Sequence, residues 1–367
     1  MKIFEVIPAL VTGGVTRLVV DLCNELSSRN EVTLVVLYGT KDFSSFKDEL
    51  LPAVTLVELN KKPGLDLSMV TRIHGTIRKG KPDIVHFHTS ALLQYALGSL
   101  LLFRHCRYLY TVHSDAFSET ERSTLRKLHQ FLYKHQFCHP VAISKASRKS
   151  FEKAYEIQPH LITNARAAYA EDKNSNCAAK EMEHYRTSGQ TKLLVSLANL
   201  DPVKNHILMC RAVNHLVQCS YDVQLLIIGN PINPKVVEEI KKLHCSNIHL
   251  LGVKNNPRDY LAYSDALCLS SLTEGMPIAL IEAFSVGVVP ICTPVGGMVD
   301  MIQDGHNGFL SHDMSMDAYE DALKRFLSLP PGRLEEMKKN SLQSFRAYSM
   351  EICAQNYETL MINLLEQ

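Results

Sequence analysis

Short apolar runs alternate with amphipathic segments along the chain. Predicted strands cover residues 3–7, 32–38, 55–59, 83–88, 108–112, 140–143, 192–197, 223–228, 248–251, 266–269 and 288–292. Predicted helices cover residues 15–29, 67–79, 90–104, 120–137, 205–217, 316–327, 333–348 and 350–365. Because continuous apolar strands that alternate with helices are typical of a parallel sheet covered by helices, the pattern predicts an α/β fold.

A polar stretch divides this pattern in two. Hydrophobic periodicity is lost over residues 171–190, which predicts a connection between two Rossmann-like domains. We assign residues 1–168 to the first domain, 169–190 to the connection and 191–349 to the second domain. A chain of 367 residues is long enough to form two hydrophobic cores. Ligands of open α/β sheets bind outside the carboxyl ends of the strands, so site residues are expected in loops after strands.

Composition narrows the functional classes. Hydrophobic residues make up 46% and charged residues 21%, which is typical of a globular protein. The net charge of +1 gives no reason to expect nucleic-acid binding. Ten cysteines without a Cys-x-x-Cys pair, and a strand where a signal peptide would lie, predict reduced thiols in a cytoplasmic protein without a zinc site. The longest apolar segment, 91–103, is too short to span a bilayer.

Residues 266–297 carry the strongest candidate chemistry. Glu274 follows an apolar strand, Pro277 suits the first position of a helix, and Glu282 lies inside that helix. Free amides at a helix start attract anions such as phosphate, whereas a carboxylate repels them. The two glutamates are therefore suited to accept hydrogen bonds from neutral hydroxyls on either side of a phosphate, which is the outline of a nucleotide sugar. The alternative interpretation is a solvated loop acid and a helix-surface acid.

The sequence Glu274-Gly-Met-Pro277 with Glu282, and Gly305-His-Asn-Gly308 downstream, resembles the signature of retaining GT-B glycosyltransferases of family four, glycosyl transferases group 1, of the bacterial surface-polysaccharide type. The resemblance implies two Rossmann-like parallel-sheet domains facing across a cleft, with a C-terminal helix, 350–367, that crosses back to the first domain. It also implies transfer of a sugar, with retention, from a UDP- or GDP-linked donor to an acceptor hydroxyl in capsule, O-antigen or exopolysaccharide assembly. No Asp-x-Asp motif occurs, so neither a metal nor another cofactor is expected.

The resemblance also assigns site residues. The expected catalytic residues are Glu274, His113 and Lys204. Glu274 is expected to orient the sugar, and Lys204 to offset the charge of the diphosphate. His113 is expected to contact the sugar, and no general-base role is assigned to it. The expected donor-binding residues are Gly14, Asn199, Lys204, Gly275, Met276, Pro277, Ile278, Glu282 and Gly297. Glu282 is expected to hold the ribose. Asn199 stands where the family usually has arginine, which removes one cationic contact.

Two features have open interpretations. His86 and His88 alternate at a strand end, which suits a metal pair, but no third ligand has suitable spacing, so packing or lining of the acceptor cleft is favoured. The segment 122–153 contains eight Lys and Arg and one acid, Glu152. It is equally consistent with a solvated helix face and with peripheral contact to an anionic membrane, which would bring the protein to the inner face of the cytoplasmic membrane.

Three other functions fit the sequence less well. A GT-B-like sugar-nucleotide 2-epimerase needs no acceptor, but the loop around Glu274 argues against it. The absence of an export signal and the reduced cysteines disfavour an exported sugar-binding protein. A nicotinamide-dependent dehydrogenase requires Gly-x-Gly-x-x-Gly after the first strand, which the segment 12–15 does not provide. The expected partners are therefore a nucleotide sugar and a glycan or lipid-linked glycan acceptor, and no nucleic acid.

Overall fold

The computed structural model describes residues 1–11, 13–39, 44–64, 66–103, 105–120, 123–170 and 175–366. The described chain divides into two compact units. The first unit is formed by Met1–Ala167 together with Tyr348–Gln367, and the second by Ala168–Ala347. Each unit contains one parallel sheet with helices between its strands, which confirms the predicted α/β class of two Rossmann-like domains.

The first unit contains a seven-stranded sheet in its described residues, in the order β3-β2-β1-β4-β5-β6-β7. Its strands are β1 Lys2–Ile7, β2 Glu31–Val36, β3 Thr55–Glu58, β4 Ile84–Phe87, β5 Arg107–Val112, β6 His139–Ala142 and β7 His160–Leu161. The direction in which successive strands are added reverses between β1 and β4, which makes the carboxyl ends of these two strands a switch point where ligands bind in such sheets.

Helices connect these strands. They are α1 Gly14–Leu26, α2 Ser68–Gly80, α3 Ser90–Leu102, α4 Ala116–Glu119, α5 Ser123–Lys134 and α6 Lys145–Tyr155, with a 3-10 helix at Ser44–Glu49. The C-terminal helix, Met350–Leu365, also belongs to this unit: Glu358 pairs with Arg29, and the Tyr357 hydroxyl lies 2.9 Å from Thr111 Oγ1. Its return to the first unit agrees with the expected crossing of the last helix.

The second unit contains a six-stranded parallel sheet in its described residues, in the order β10-β9-β8-β11-β12-β13. Its strands are β8 Lys192–Leu197, β9 Val223–Ile228, β10 Ile248–Gly252, β11 Ala266–Leu269, β12 Val289–Cys292 and β13 Phe309–Leu310. Its helices are α7 Ser175–His184, α8 His206–Gln218, α9 Pro234–Lys241, α10 Pro257–Ala262, α11 Ile278–Ser285, α12 Met298–Met301, α13 Met316–Leu327 and α14 Pro331–Ser344, with 3-10 helices at Pro202–Lys204 and Phe345–Tyr348.

Each sheet packs against helices around an apolar core, as the hydrophobic periodicity of the sequence predicts. In the second unit, α8 and α13 bury residues such as Met209, Val213 and Leu323 against the sheet. In the first unit, α2, α3 and α6 pack in the same way on the other sheet. Across the described residues, none of the helices combines the length and apolarity needed to cross a bilayer.

The polar stretch that predicts a connection contains α7. This helix buries only a narrow stripe, Ala178 and Met182, while Glu181 beside them pairs with Lys254 at 2.7 Å. A stripe of two apolar residues is too weak to produce a helical period, which is why the sequence pattern missed it. A smaller correction concerns Pro277, which is the N-cap of α11 rather than its first helical residue.

Candidate functional site

The loops after three neighbouring strands of the second unit meet at one edge of its sheet. β8, β11 and β12 lie side by side and run parallel, so their carboxyl ends share that edge. The Leu272 amide donates to the Val203 carbonyl at 2.8 Å, and the Thr293 hydroxyl donates to the Ser271 carbonyl at 2.8 Å. These bonds join the loop after β11 to the loops on both sides of it, and the meeting point contains several of the expected site residues.

The loop after β8 is built to present Lys204. The Asp201 side chain accepts the Val203 amide at 2.9 Å and starts the short 3-10 helix that ends at Lys204. Asn205 then adopts a left-handed conformation with φ of +49°. The Ser270 hydroxyl lies 3.2 Å from the Lys204 carbonyl and 2.9 Å from the Asn205 carbonyl, which fixes the backbone around the lysine.

Lys204 and Glu274, both expected in the site, contact each other directly. Lys204 Nζ lies 2.6 Å from Glu274 Oε1, and the Ser271 hydroxyl donates to the same oxygen at 2.7 Å. Glu274 Oε2 accepts no hydrogen bond from the described residues, so the carboxylate keeps acceptor capacity. The Glu274 side chain is 10% exposed and that of Lys204 is 31% exposed, so the lysine reaches over the acid from the solvent side.

Two glycines after β12 hold the acidic loop in place. Gly296 has φ of +54°, and a Cβ atom there would lie 1.7 Å from the Glu274 carbonyl oxygen. The Gly297 amide donates to the Gly275 carbonyl at 2.9 Å, and a Cβ on Gly297 would lie 2.5 Å from that same oxygen. Only glycine fits at such close backbone approach. The segment that Gly297 admits in this structure is therefore the loop carrying Glu274.

The rest of the acidic segment is mostly interior. Met276, Pro277 and Ile278 are buried, and Glu274 and Gly275 are partly buried. Glu282, one turn into α11, is only 7% exposed. The interpretation of Glu282 as a helix-surface acid is therefore wrong, and so is that of Glu274 as a solvated loop acid.

Asn199 joins the loops after β8 and β9. Its side-chain oxygen accepts the Asn230 amide at 3.1 Å. A Cβ on the neighbouring Gly229 would lie 2.0 Å from the Ala198 carbonyl oxygen, so these two chain segments approach closely. The Asn199 side chain therefore links the loops after β8 and β9, at the position where the family usually has arginine.

Gly14 lies in the first unit, where it is exposed at the first position of α1. Gly13 before it is extended and provides the N-cap without a side chain. The amides of this turn are therefore not capped by a side chain at the start of a 13-residue helix. Residue 12 of the expected glycine loop lies outside the described residues.

A buried cluster lies at the switch point of the first unit. Glu5 on β1 is aligned with His86 on β4, and His88 follows β4. Glu5 Oε2 lies 2.6 Å from His88 Nε2 and 2.9 Å from His86 Nδ1, and all three side chains are fully buried. Burial alone would raise the pKa of Glu5, but the adjacent imidazoles outweigh it and lower this pKa to about 2.

The cluster continues to His113, the residue expected to contact the sugar. His88 Nδ1 lies 3.1 Å from His113 Nε2, which follows the neighbouring strand β5. Burial, and next the charge of His86, lower the pKa of His88 to about 4. Burial also lowers the pKa of His113 well below its ordinary value, with His88 contributing next. The Glu119 carboxylate accepts the His113 amide at 2.8 Å and fixes this loop.

Glu5 was not among the predicted site residues. An acid inside the apolar run of β1 was the available signal, because a charged residue is rarely buried without a partner. Glu5 is the third possible metal ligand that the sequence did not provide near His86 and His88. One ligand atom from each of the three lies within 4.8 Å of the others, so the donor set fits a divalent ion as well as a hydrogen-bonded network.

The basic segment 122–153 has its described part on α5, α6 and the residues between them. On α5, Lys127, Phe131 and Lys134 are exposed at helical spacing. On α6, lysines 145, 149 and 153 form an exposed row. The expected basic surface is therefore present, and on α5 it includes an exposed aromatic ring.

Two family models match most of the chain between them. The model described as Glycosyltransferase Family 4 matches residues 12–165, and the model described as Glycosyl transferases group 1 matches residues 179–344. The chain belongs to the group 1 glycosyltransferases. Each model falls mainly on one of the two structural units.

Known proteins resemble this glycosyltransferase along its length. A Campylobacter jejuni enzyme, named as the α-1,4-N-acetyl-D-galactosaminyltransferase of GalNAc-α-(1→4)-GalNAc-α-(1→3)-diNAcBac-PP-undecaprenol, is 24% identical over 324 residues, 84% of each chain. A solved glycosyltransferase from Rickettsia africae has a TM-score of 0.84 at 18% identity and covers 100% of this chain and 98% of its own. HepE from Anabaena, solved with UDP and glucose, has a TM-score of 0.81 at 17% identity and covers 99% of this chain and 100% of its own.

These structural similarities establish the GT-B fold of the glycosyltransferase. The structure brings together Lys204, Glu274 and the Gly297 loop in the second unit. It places His113 in the first unit, in contact with the buried His88, and His88 in turn contacts the carboxylate of Glu5, which was not predicted to lie there. The donor-binding roles of these residues stay predictions.

Proposed function

We propose that this glycosyltransferase transfers a hexose-type sugar from a UDP- or GDP-linked donor to a hydroxyl of a glycan or lipid-linked glycan acceptor, with retention of anomeric configuration and without a metal ion. The observation that carries the proposal is the convergence of Lys204, Ser271 and Glu274 at the carboxyl edge of the sheet in a group 1 glycosyltransferase. The undecaprenol-linked substrate named for the Campylobacter relative and the UDP bound to HepE support the acceptor and donor classes.

The Lys204–Glu274 pair is suited to exchange partners when a donor binds. Lys204 is the more exposed member of the pair, so a diphosphate can reach its ammonium and compete with Glu274 for it. Lys204 has three donors and can bind a phosphate oxygen while it stays near Glu274. In this proposal the carboxylate of Glu274, held by Ser271, then accepts hydroxyls of the sugar.

The remaining donor contacts follow the expected assignment. Glu282 binds the ribose hydroxyls, and its low exposure suits a contact made inside the protein rather than in solvent. Backbone amides of the loop that contains Gly297 add positive dipoles near the diphosphate, and Gly14, at the uncapped start of α1, is a separate candidate donor contact of the first unit. Asn199 supplies no cation, so Lys204 carries a larger share of the phosphate interaction than a lysine with an arginine neighbour would.

The reaction in this proposal breaks the bond between the anomeric carbon and the phosphate oxygen and forms a bond between that carbon and the acceptor oxygen. The proton of the acceptor hydroxyl passes to the leaving diphosphate. Lys204 and the backbone amides stabilise the charge that develops on that phosphate. No side chain is proposed as a nucleophile, and the protein supplies positioning and electrostatic stabilisation.

We also propose that the enzyme works in the cytoplasm at the inner face of the cytoplasmic membrane, in capsule, O-antigen or exopolysaccharide assembly. The exposed Lys127, Phe131 and Lys134 on α5 support membrane contact, since basic side chains attract anionic lipid headgroups and an aromatic ring inserts between them. A lipid-linked acceptor would be available at that surface.

A thermal-shift screen against UDP-, GDP-, ADP- and CMP-sugars tests the donor. A ligand at about one hundred times its dissociation constant stabilises the protein by roughly 2.7 kcal/mol, so a UDP- or GDP-sugar is expected to raise the melting temperature. Stabilisation by none of the four classes would contradict the proposal.

Incubation of the identified donor with lipid-linked glycans then tests transfer. Release of nucleotide without any acceptor, together with a 2-epimerised sugar, would indicate the epimerase instead. The anomeric proton coupling of the product tests retention. Activity that survives EDTA supports the metal-free scheme, whereas complete loss restored by magnesium would contradict it.

A further inference from the structure

The side chains of Cys219, His215 and Glu320 form a connected line where α8 packs against α13. Cys219 Sγ lies 3.9 Å from His215 Nε2, and His215 Nδ1 lies 2.7 Å from Glu320 Oε2 on α13. Cys219 is the C-cap of α8, and its amide donates to the His215 carbonyl at 2.9 Å, which holds the two side chains one helical turn apart on one face. A thiol, an imidazole and a carboxylate therefore lie in the order that activates a nucleophile in proteins.

The carboxylate sets the direction of the hydrogen bonds. Glu320 Oε1 lies 2.6 Å from Lys324 Nζ, and an acid paired with an ammonium group at this distance is ionised. Burial alone would raise the pKa of Glu320, but the hydrogen bonds from Lys324 and His215 outweigh it and lower this pKa. An ionised carboxylate only accepts hydrogen bonds, so His215 must donate from Nδ1. The neutral imidazole then presents the lone pair of Nε2 to the thiol of Cys219.

The charges around Cys219 favour a thiolate. When the thiol proton passes to Nε2, His215 becomes a cation that the Glu320 carboxylate stabilises. Lys324 adds a second positive charge within electrostatic reach of the sulfur, since its pKa is raised first by the hydrogen bond to Glu320 and, in smaller part, by Tyr221 and Cys219. Two cations and one acid give a net charge of about +1, whereas the C-terminal end of α8 contributes only about −0.5 of an elementary charge. The net field therefore stabilises a negative sulfur.

The Cys219 thiol is also accessible, unlike the core cysteines of the second unit. Cys219 and Cys177 are the exposed cysteines among the described residues, and the side chain of His215 is 49% exposed. Cys210 and Cys268, by contrast, are buried, and burial raises the pKa of each thiol to about 12. An exposed thiol with an adjacent base is the environment in which cysteines react.

This thiol lies far from the loops that carry the Lys204–Glu274 pair. α8 begins at His206, just after the loop that presents Lys204, and its 13 residues span about 20 Å before Cys219. The C-terminal end of α8 precedes β9, so it lies at the amino edge of the sheet, opposite to the edge of the candidate site. A group attached to Cys219 is therefore not expected to displace a donor.

We propose that Cys219 is a modification site that takes low-molecular-weight disulfides, with His215 as the base for its thiol and with Glu320 and Lys324 as positioning residues. The thiol passes its proton to His215 Nε2, and the thiolate attacks one sulfur of the disulfide. A bond forms between that sulfur and Sγ, the bond between the two sulfurs of the small disulfide breaks, and the released thiolate takes the proton from His215. The products are a mixed disulfide on Cys219 and one small thiol. This reaction is independent of the proposed sugar transfer.

Oxidised glutathione is the probe for this reaction. The reduced native protein is incubated with it at neutral pH, the remaining thiols are alkylated, and the tryptic peptides 212–235 and 174–180 are quantified by mass. Each peptide contains a single cysteine, Cys219 in the first and Cys177 in the second. The reference is the same reaction of wild-type chains unfolded in urea, in which His215 and Lys324 are no longer held beside the thiol.

We expect native Cys219 to form the glutathione adduct faster than unfolded Cys219. If the native contacts raise the thiolate fraction about tenfold, the rate rises only about threefold, because a less basic thiolate is a weaker nucleophile. A dithiol reductant should remove the adduct. A native Cys219 that reacts no faster than the unfolded one would overturn the proposal, and this comparison needs no variant.

His215→Gln tests the base. The amide keeps the hydrogen bond to the acid but cannot take the thiol proton, so the rate at Cys219 should fall about threefold while the rate at Cys177 stays unchanged. The matched control is His312→Gln, which removes an exposed imidazole from the loop after β13 and should leave both rates as in wild type. Equal rates at Cys219 in wild type and His215→Gln, or equal losses in His215→Gln and His312→Gln, would contradict the role of His215.

Glu320→Gln tests the positioning residues through the pH profile of the reaction. Without the carboxylate the cationic imidazole is less stable, so the pH at which the rate at Cys219 reaches half its maximum should rise. A purely structural effect on access would change the maximum and leave this pH where it is, and that result would remove Glu320 from the proposal. Lys324→Gln, at an exposed position, should shift the profile in the same direction and decides the point if Glu320→Gln does not fold.

Discussion

Lys204 Nζ and Glu274 Oε1 lie 2.6 Å apart, although the two residues are 70 positions apart in the chain and follow different strands. The pair combines a cation that can bind a diphosphate with an acid that can bind sugar hydroxyls. Because each side chain holds the other in the absence of a donor, substitutions of the two should have different effects on binding and turnover.

Lys204→Ala should weaken binding of the nucleotide sugar and of the free nucleoside diphosphate to a similar degree. Loss of a charged hydrogen bond to phosphate costs about 1.5–3 kcal/mol, so the dissociation constant should rise roughly 10- to 100-fold. Isothermal titration with the diphosphate measures this change. Lys242→Ala is the control, because Lys242 forms exposed ion pairs on α9 and should bind as wild type does. Unchanged affinity in Lys204→Ala would remove this lysine from the site.

Glu274→Gln should lower turnover more than it lowers affinity for the free nucleotide. The amide keeps the size of the side chain but loses its charge and one acceptor, so kcat/KM should fall roughly 10- to 100-fold. Initial rates with the identified donor and titration with the free nucleotide separate the two effects. A larger loss in nucleotide affinity than in turnover would assign Glu274 to the phosphates or the base instead of the sugar.

Gly296→Ala should destabilise the second unit and displace the acidic loop. The new Cβ would lie 1.7 Å from the Glu274 carbonyl oxygen, and the left-handed backbone at Gly296 disfavours any side chain. We expect a loss of at least about 2 kcal/mol in the free energy of unfolding. Gly332→Ala on α14 is the control, since its Cβ would meet no atom within 4 Å and should leave stability unchanged or raise it slightly. Equal stabilities of the two variants in urea unfolding would contradict the close approach.

The sheets were predictable because their strands are continuous apolar runs. β8, β9 and β11 begin and end at the residues that the pattern predicts. β7 and β13 were missed because they are two residues long, too short for any period to be measured. α9 and α10 were missed as well, although each begins with a proline that marks a helix start.

The candidate site was predictable only in part. The positions of Lys204 and Glu274 after strands indicated their edge of the sheet, but spacing along the chain carries no information that one binds the other. Glu5 and His88 are 83 residues apart and meet only because β1 and β4 become neighbours at the switch point. A contact of this kind requires the strand order, which hydrophobic periodicity does not contain.

Charge reversal on α5 should reduce binding to anionic vesicles. Lys127→Glu with Lys134→Glu replaces two exposed cations, each of which contributes about 1 kcal/mol near an anionic surface. Partition into phosphatidylglycerol vesicles at low ionic strength should therefore fall roughly 30-fold or more, and wild-type binding should weaken as salt rises. Lys235→Glu with Lys242→Glu on the second unit gives the same net charge and should bind nearly as wild type does. Equal losses in the two double variants would leave only net charge as the cause.

The stability of the first unit should depend on pH through His129. This residue on α5 is 1% exposed, neither ring nitrogen has a hydrogen-bond partner among the described residues, and burial lowers its pKa to about 4. Its unfolded pKa is about 6.5, so the unfolded chain binds the proton first, and stability that is complete above that value is lost as pH falls toward the folded pKa. His129→Phe removes this titration, and between about pH 7 and about pH 4 its free energy of unfolding should fall less than that of wild type, by on the order of 2 kcal/mol. Urea unfolding at the two pH values measures the difference. His135→Phe is the control, because His135 is exposed. Equal losses of stability in wild type and His129→Phe would show that His129 is not buried in its neutral form.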